Sequence, residues 1–277
     1  MEVLKKLFNF YIDSSIHVAL SVFSLTWITL IEFHVSYTNN VLFFVFFASI
    51  TGYNFVKYFG IAKFHHRSLT NWLKAVQIFS FFCFLFMCYF GFQLSSKTLL
   101  YIGAFGAVTF LYAIPFLPKR LFLDSKHNLR SISGLKIYLI ALVWSGVTVF
   151  LPLIENEYSI NDDVLITAIQ RFVLVLVLML PFEIRDLRYD SLKLSTVPQK
   201  IGVKQTKIMG VLLLVVFFFL EFFKNEIDMI KTPILFLISI SILVFLIFSK
   251  INQGKYYSSF WVEGLPIIWL VLLLIAY

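Results

Sequence analysis

Residues 163–190 read Asp163-Val-Leu-Ile-Thr-Ala-Ile-Gln-Arg171-Phe-Val-Leu-Val-Leu-Val-Leu-Met-Leu-Pro181-Phe-Glu183-Ile-Arg185-Asp186-Leu-Arg188-Tyr-Asp190. Between Val164 and Phe182 the only charge is Arg171. About twenty apolar residues are what a helix needs to cross the hydrocarbon core of a bilayer. The run then changes chemistry: three carboxylates and two guanidinium groups follow within eight residues. The stretch reads as a membrane-spanning helix whose end leaves the bilayer carrying acids.

The rest of the chain has the same character. Of 277 residues, 60% are hydrophobic and only 14% charged, where a soluble domain carries about a quarter charged residues. Phe alone accounts for 34 positions. One water-soluble core cannot hide that much apolar surface, so lipid must solvate most of it. The net charge of +8 does not point to nucleic acid, because the basic residues lie between apolar runs and not on a soluble face. Cys83 and Cys88 sit five apart in one run and face different sides of a helix, so both read as apolar fillers. His65 and His66 have no acid or Cys at metal spacing and read as solvated loop residues. Lys5 and Lys6 precede an apolar stretch, as in a signal peptide, but no small-x-small cleavage pattern follows, and the stretch reads as a retained first span.

Nine spans are expected: roughly 15–32, 41–60, 72–92, 98–116, 134–154, 163–182, 207–223, 232–249 and 260–276. The chain therefore reads as one all-α transmembrane domain over 1–277. With the N-terminus inside, 19 of the 23 Lys and Arg fall on the inner side. Only Lys97, Lys224 and Lys231 lie outside, and Arg171 lies within a span. Cytoplasmic loops carry this excess of Lys and Arg. The expected topology is thus a cytoplasmic N-terminus and an outside C-terminus, in a bacterial inner membrane. Three inner connections are long, about 61–71, 117–133 and 183–206, and long segments on one face of a bundle usually carry function.

On a helix Asp186 and Asp190 are i and i+4 and share a face, with Glu183 close to it. Three carboxylates on one stripe repel one another unless something positive stands between them. A divalent cation that prefers oxygen ligands fits, and Mg²⁺ commonly uses a few carboxylates together with phosphate oxygens and water. The spacing is equally compatible with a solvated helix end whose acids pair with Arg185, Arg188 and Lys193. Arg171 is open in the same way: it faces a ligand or a helix-end carbonyl, or it snorkels to the outer interface.

Asp186-Leu-Arg-Tyr-Asp190, preceded by Arg185 and followed by Lys193, Thr196, Pro198 and Gly202, resembles the second aspartate motif of the UbiA superfamily. These are intramembrane prenyltransferases that join an isoprenoid diphosphate to an aromatic or other lipophilic acceptor. In that motif Arg-Asp-x-x-x-Asp leads into a loop with a Lys, a Thr-x-Pro and a Gly. The loop here is about one residue shorter and lacks the usual glycine after the second Asp. A second stretch, Phe110-Leu-Tyr-Ala-Ile-Pro-Phe-Leu-Pro-Lys119-Arg120, resembles the family's Tyr-x-x-Pro-type turn with basic residues after the fourth span. The resemblance implies a nine-span bundle and an inner cavity for a prenyl diphosphate. It implies Mg²⁺ held at Asp186 and Asp190, with Glu183 beside them, and substrate contacts from Asn54, Lys119, Arg120, Arg185 and Lys193.

One motif departs from the family. Its first motif, Asn-Asp-x-x-Asp, belongs at the inner end of the second span. Here that segment is Gly52-Tyr-Asn54-Phe-Val-Lys57-Tyr58, with Phe55 and Tyr58 in place of the aspartates. Lys57, one turn past Asn54, is the group that can supply positive charge where a metal cluster is missing. The expected activity is Mg²⁺-dependent prenyl transfer, with Asp186, Asp190 and Lys57 as its catalytic groups. The first rival is a non-catalytic descendant that binds a prenyl lipid. The second is a small-solute or lipid transporter, disfavoured by the scarcity of mid-span acids and of paired Gly/Pro breaks.

The charge bias makes a direct prediction. Reporter tags at the N-terminus and in the 183–206 connection should report the cytoplasm, and a tag at Tyr277 the outside. Both termini on one side would mean that one span is miscounted.

Overall fold

The computed structural model describes residues 2–64, 71–113, 134–188 and 196–276, with the side chains of 59–64 and 111–113 left aside. Among the described residues all regular structure is helical. In chain order the helices are α1 (Glu2–Asp13), α2 (Ile16–Glu32), α3 (Asn39–Phe64), α4 (Asn71–Gly91) and α5 (Ser96–Ala113). Then follow α6 (Leu135–Glu155), α7 (Asp162–Asp186), α8 (Val197–Phe223), α9 (Lys231–Phe248) and α10 (Tyr257–Ala276). The protein is an integral membrane protein: α3, α4, α6, α7, α8, α9 and α10 are each long and apolar enough to cross a bilayer. The pair α1 and α2, bent by 54° at the break between them, is long and apolar enough only when taken together. Of the nine expected spans, the fourth, over 98–116, runs past the described residues. Its helix, α5, opens with Ser96-Lys97-Thr98 and is described only to Ala113, so it is not among the helices that count as spans.

Burial sorts the helices. In α7, 72% of the apolar stretch is buried, against 11% in α4. α7 is therefore the central post, packed on α6, α8, α9 and the start of α10. Asn161 caps its first turn by accepting from the Val164 N–H at 3.0 Å. α4 leans on α3 and turns Phe81, Phe82 and Phe86 outward. In lipid such faces need no further cover.

The first span is not one straight helix. Ser15 adopts a left-handed conformation, φ 64°, and α2 starts there without a side-chain cap. A break inside a membrane leaves backbone groups that lipid cannot satisfy. Asn54 of α3 repairs it. Its Nδ2 donates to the Ser14 carbonyl at 2.9 Å and to Ser80 Oγ of α4 at 2.7 Å. Its Oδ1 accepts from the Ser15 hydroxyl at 2.8 Å. The Asp13 carbonyl accepts from Lys57 Nζ at 3.0 Å and from the Tyr58 hydroxyl at 2.9 Å.

Near the opposite end of α7, Arg171 is 2% exposed and does not snorkel. Its guanidinium donates to the Leu25 carbonyl at 3.1 Å and to the Thr29 hydroxyl at 3.4 Å. It lies 3.6 Å from the Glu32 carboxylate and over the Trp269 ring at 5.3 Å. This ties α7 to α2 and α10. Removing one member of a buried ion pair strands the other charge, at a cost of about 3–5 kcal/mol. Arg171→Leu should lower the thermal midpoint in detergent accordingly, and Arg171→Leu with Glu32→Leu should recover most of the loss. Equal losses in the single and double variants would mean that the pair is not what α7 depends on.

Candidate functional site

The C-terminal end of α7, the one expected from the charge bias to be inner, carries the acids. Pro181 sits inside the helix and, having no N–H, leaves a carbonyl one turn back without its usual partner. The Pro181 carbonyl itself takes bonds from outside the helix, from Gln253 Nε2 at 3.1 Å and from the Ser258 hydroxyl at 3.4 Å. This fixes the last turn against the start of α10. Glu183 is 2% exposed and Asp186 21%. Lys136, from the first turn of α6, stands 3.6 Å from Glu183 Oε1 and 3.8 Å from Asp186 Oδ2. The Arg185 guanidinium closes on the same Asp186, with Nε and Nη2 both 2.8 Å from Oδ1.

Helical spacing thus brings Glu183 and Asp186 together, and the positive group beside both is an ammonium of this chain. A proximal Lys lowers the repulsion between two carboxylates as a metal would, with less charge. Both acids are hard oxygen donors of the kind Mg²⁺ takes. Lys136 is 35% exposed, on a flexible stem able to swing clear. The donor chemistry therefore fits Mg²⁺ in kind. Among the described residues no three His, Cys, Asp or Glu converge to hold a metal unaided. Asp190, Lys193, Lys119 and Arg120 lie outside the described residues, as do His65 and His66.

The inner end of α3 divides its faces. Tyr53 accepts from the Trp144 indole N–H of α6 at 2.8 Å and so points inward. Lys57, one turn on, lies within electrostatic reach of Arg185 of α7. Asn54 is turned instead to the α1–α2 break. Phe55 is 40% exposed and lines a groove of about 310 Å³ between α3 and α4, with Thr51, Asn54, Tyr58, Gln77, Ser80 and Phe81. None of the α7 acids borders that groove. Of the residues singled out from sequence, the structure brings Lys57, Arg185, Asp186 and Glu183 to one end of the bundle. It spends the Asn54 amide elsewhere.

Two charged groups at this end carried no role in the sequence reading. Lys136 is about fifty residues from its acids and at the start of another span, so no local spacing reveals the pairing. Glu263 of α10 lies within electrostatic reach of Lys57 and Arg185. Its signal was available: an acid a few residues into an apolar run, where charge is costly.

No protein-family model matches the chain, and no curated protein does. Solved structures do match it. A UbiA homologue from Aeropyrum pernix K1, in its apo form, superposes with a TM-score of 0.66 over 94% of this chain and 98% of that one, at 14% identity. The chain has the UbiA fold. A UbiA homologue from Archaeoglobus fulgidus bound to GPP and Mg²⁺ matches with a TM-score of 0.58, at 11% identity, over 97% and 99% of the two chains. A structure concerned with digeranylgeranylglyceryl phosphate synthase in membranes gives 0.57 at 15% identity over 100% and 97%. The UbiA fold is matched along nearly the whole chain, so the quoted α7 stretch is set in a bundle of that fold.

If Lys136 holds the place of a cation, its removal should make the protein depend on one. Lys136→Gln removes the ammonium that stands beside both Glu183 and Asp186. It should cost about 1 kcal/mol after solvent screening, roughly 2–4 °C in thermal midpoint, in EDTA. Millimolar Mg²⁺ should restore part of that loss. A variant indifferent to Mg²⁺ would speak against a cation site at these acids.

Proposed function

We propose that the protein is a UbiA-superfamily prenyltransferase, moving an isoprenoid group from a prenyl diphosphate to a lipophilic acceptor, aromatic acceptors included. The observation that carries this reading is the pairing of a whole-chain UbiA fold with acids at the inner end of α7. In prenyl transfer the bond to the diphosphate breaks, and catalysis consists largely of stabilising the negative charge on the leaving group. Mg²⁺, when bound, would supply that charge at Glu183, Asp186 and Asp190. Lys57 and Arg185 face the same end and would hold diphosphate oxygens directly, a role in which Arg offers a bidentate fork and Lys a point charge. Lys119, Arg120 and Lys193 remain expected contacts on the inner connections. The Lys and Arg bias supports a cytoplasmic mouth for the site, and a bacterial inner membrane remains the expected location.

One observation favours a second reading. Asn54 and Tyr58, at the position of the family's first motif, are bonded to the α1–α2 break, and no acid stands near them on α3. A descendant that binds a prenyl lipid without turning it over would tolerate this.

Turnover decides between them. The assay is consumption of a prenyl diphosphate by the purified protein in nanodiscs, with Mg²⁺ and with EDTA. Asp186→Ala should reduce turnover about 10²–10³-fold, the scale of losing one preorganised charge contact. Lys57→Ala should also reduce it strongly, and Arg188→Ala much less. Binding without turnover across a broad acceptor panel would favour the second reading. Turnover that ignores EDTA and survives Asp186→Ala would place the chemistry away from α7.

A further inference from the structure

Glu263 has its backbone fixed on several sides. The π-helical turn Tyr257–Val262 ends against it; such turns are rare and frequently occur at functional sites. Its N–H donates to the Ser258 carbonyl at 3.0 Å, and its carbonyl accepts from the Ser21 hydroxyl of α2. The next residue, Gly264, packs so closely that a Cβ there would stand 2.7 Å from the Phe260 carbonyl oxygen and 3.2 Å from His17 Nε2. No larger residue fits that place without movement, so the turn that aims Glu263 is held in position.

The carboxylate itself is left open. Glu32 has Arg171 at 3.6 Å, Glu183 has Lys136 at 3.6 Å, Asp186 has Arg185 at 2.8 Å and Glu221 has Lys224 at 2.7 Å. Among the described residues the Glu263 carboxylate has no hydrogen bond and no cation within 4 Å. It is half-buried, and Lys57 of α3 and Arg185 of α7 act on it from a distance. Tyr11 of α1 feels its charge from another side. A carboxylate kept only for structure would close on one of those cations. This one stands off from both, more than 4 Å from either.

We propose that Glu263 is the proton acceptor of the transfer reaction, taking the proton that the acceptor substrate sheds. The assignment rests on the prenyltransferase reading above. Lys57 and Arg185 take the diphosphate, which leaves Glu263 as a free base beside it. The C1–O bond of the prenyl diphosphate breaks and its electron pair leaves on the diphosphate. The acceptor oxygen, or the electron-rich ring carbon of a phenol, bonds to C1. The proton it sheds passes to the Glu263 carboxylate, which returns it to water at the inner mouth as product leaves.

The test uses the full-length protein in nanodiscs with Mg²⁺, geranyl diphosphate and a panel of lipophilic phenols and alcohols. Geranyl thiolodiphosphate, which resists transfer, reports binding. Glu263→Gln keeps the shape of the side chain and removes the base; Glu263→Asp keeps the base on a shorter stem. Glu263→Gln should bind the thiolo analogue within about twofold of wild type while transfer falls at least about 100-fold, the scale of losing a general base. Glu263→Asp should fall between the two. Undiminished transfer by Glu263→Gln overturns the assignment alone, as does loss of analogue binding in step with transfer, which would make Glu263 a binding residue. A wild-type protein that transfers to no phenol or alcohol overturns the reading beneath it and this assignment with it.

Discussion

Lipid offers no hydrogen bonds, and this chain nevertheless breaks its first span at Ser14-Ser15. The bonds that heal the break organise the inner end of the bundle. Asn54 uses its amide on Ser14, Ser15 and Ser80, so one side chain of α3 joins the α1–α2 corner to α4. Lys57 and Tyr58 close on the Asp13 carbonyl beside it. With the corner fixed, α1 lies across the inner ends of the other helices. Phe10 packs against Trp72 and Phe79, and Phe8 against Tyr256 and Phe260. Asn9 accepts from Lys255 and from the Tyr256 hydroxyl. The outward face of α1 keeps Val3, Leu4 and Leu7 exposed, as suits a helix lying in the interface with its apolar side in the headgroup boundary.

This repair has a consequence for the site. The positions where the resemblance expects the first acidic motif are occupied by a residue spent on the corner, a phenylalanine turned to an outer groove and a tyrosine tied to Asp13. Only Lys57 retains donors for a ligand, since an ammonium has three and the Asp13 carbonyl takes one. The charge described at this end stands largely on other helices: Lys136 on α6, Arg185 on α7 and Glu263 on α10. A UbiA fold can lose an acidic cluster from α3 and still present a charged inner mouth, because several helices end there.

The sequence made the lipid-facing character of the chain and the identity of α7 readable, because both depend on local composition and on the 3.6-residue period. Glu183 and Asp186 stand together because three positions on a helix are neighbours. What depends on contacts between distant residues was not readable. Hydropathy counts apolar residues without regard to a bend, so the first span was expected over 15–32 and the corner that joins it to α1 was not foreseen. The spacing of the α7 acids asked for a positive group, and Mg²⁺ answered it on chemical grounds; that Lys136 reaches the same point is set by the packing of α6 on α7. Asn54 was picked out for its place in a motif, while its hydrogen bonds depend on a corner forty residues earlier.

The balance of charge at the inner mouth bears on how a substrate would enter. Among the described residues, Lys136 stands beside Glu183 and Asp186, Arg185 closes on Asp186, and Lys57 and Arg185 act on Glu263, so each of these carboxylates has a cation near it. A bare divalent cation entering such a set has to displace Lys136 and leaves an excess of positive charge in a poorly solvated place. A bare diphosphate leaves an excess of negative charge. Each is costly where water is scarce. Entering together, they compensate one another, and the displaced Lys136 can turn from the carboxylates to the diphosphate. On the proposed reading the metal and the prenyl diphosphate would then bind as a unit. On that reading Lys136, 3.6 and 3.8 Å from the two acids, would offset their charge until a ligand that brings charge of both signs takes its place.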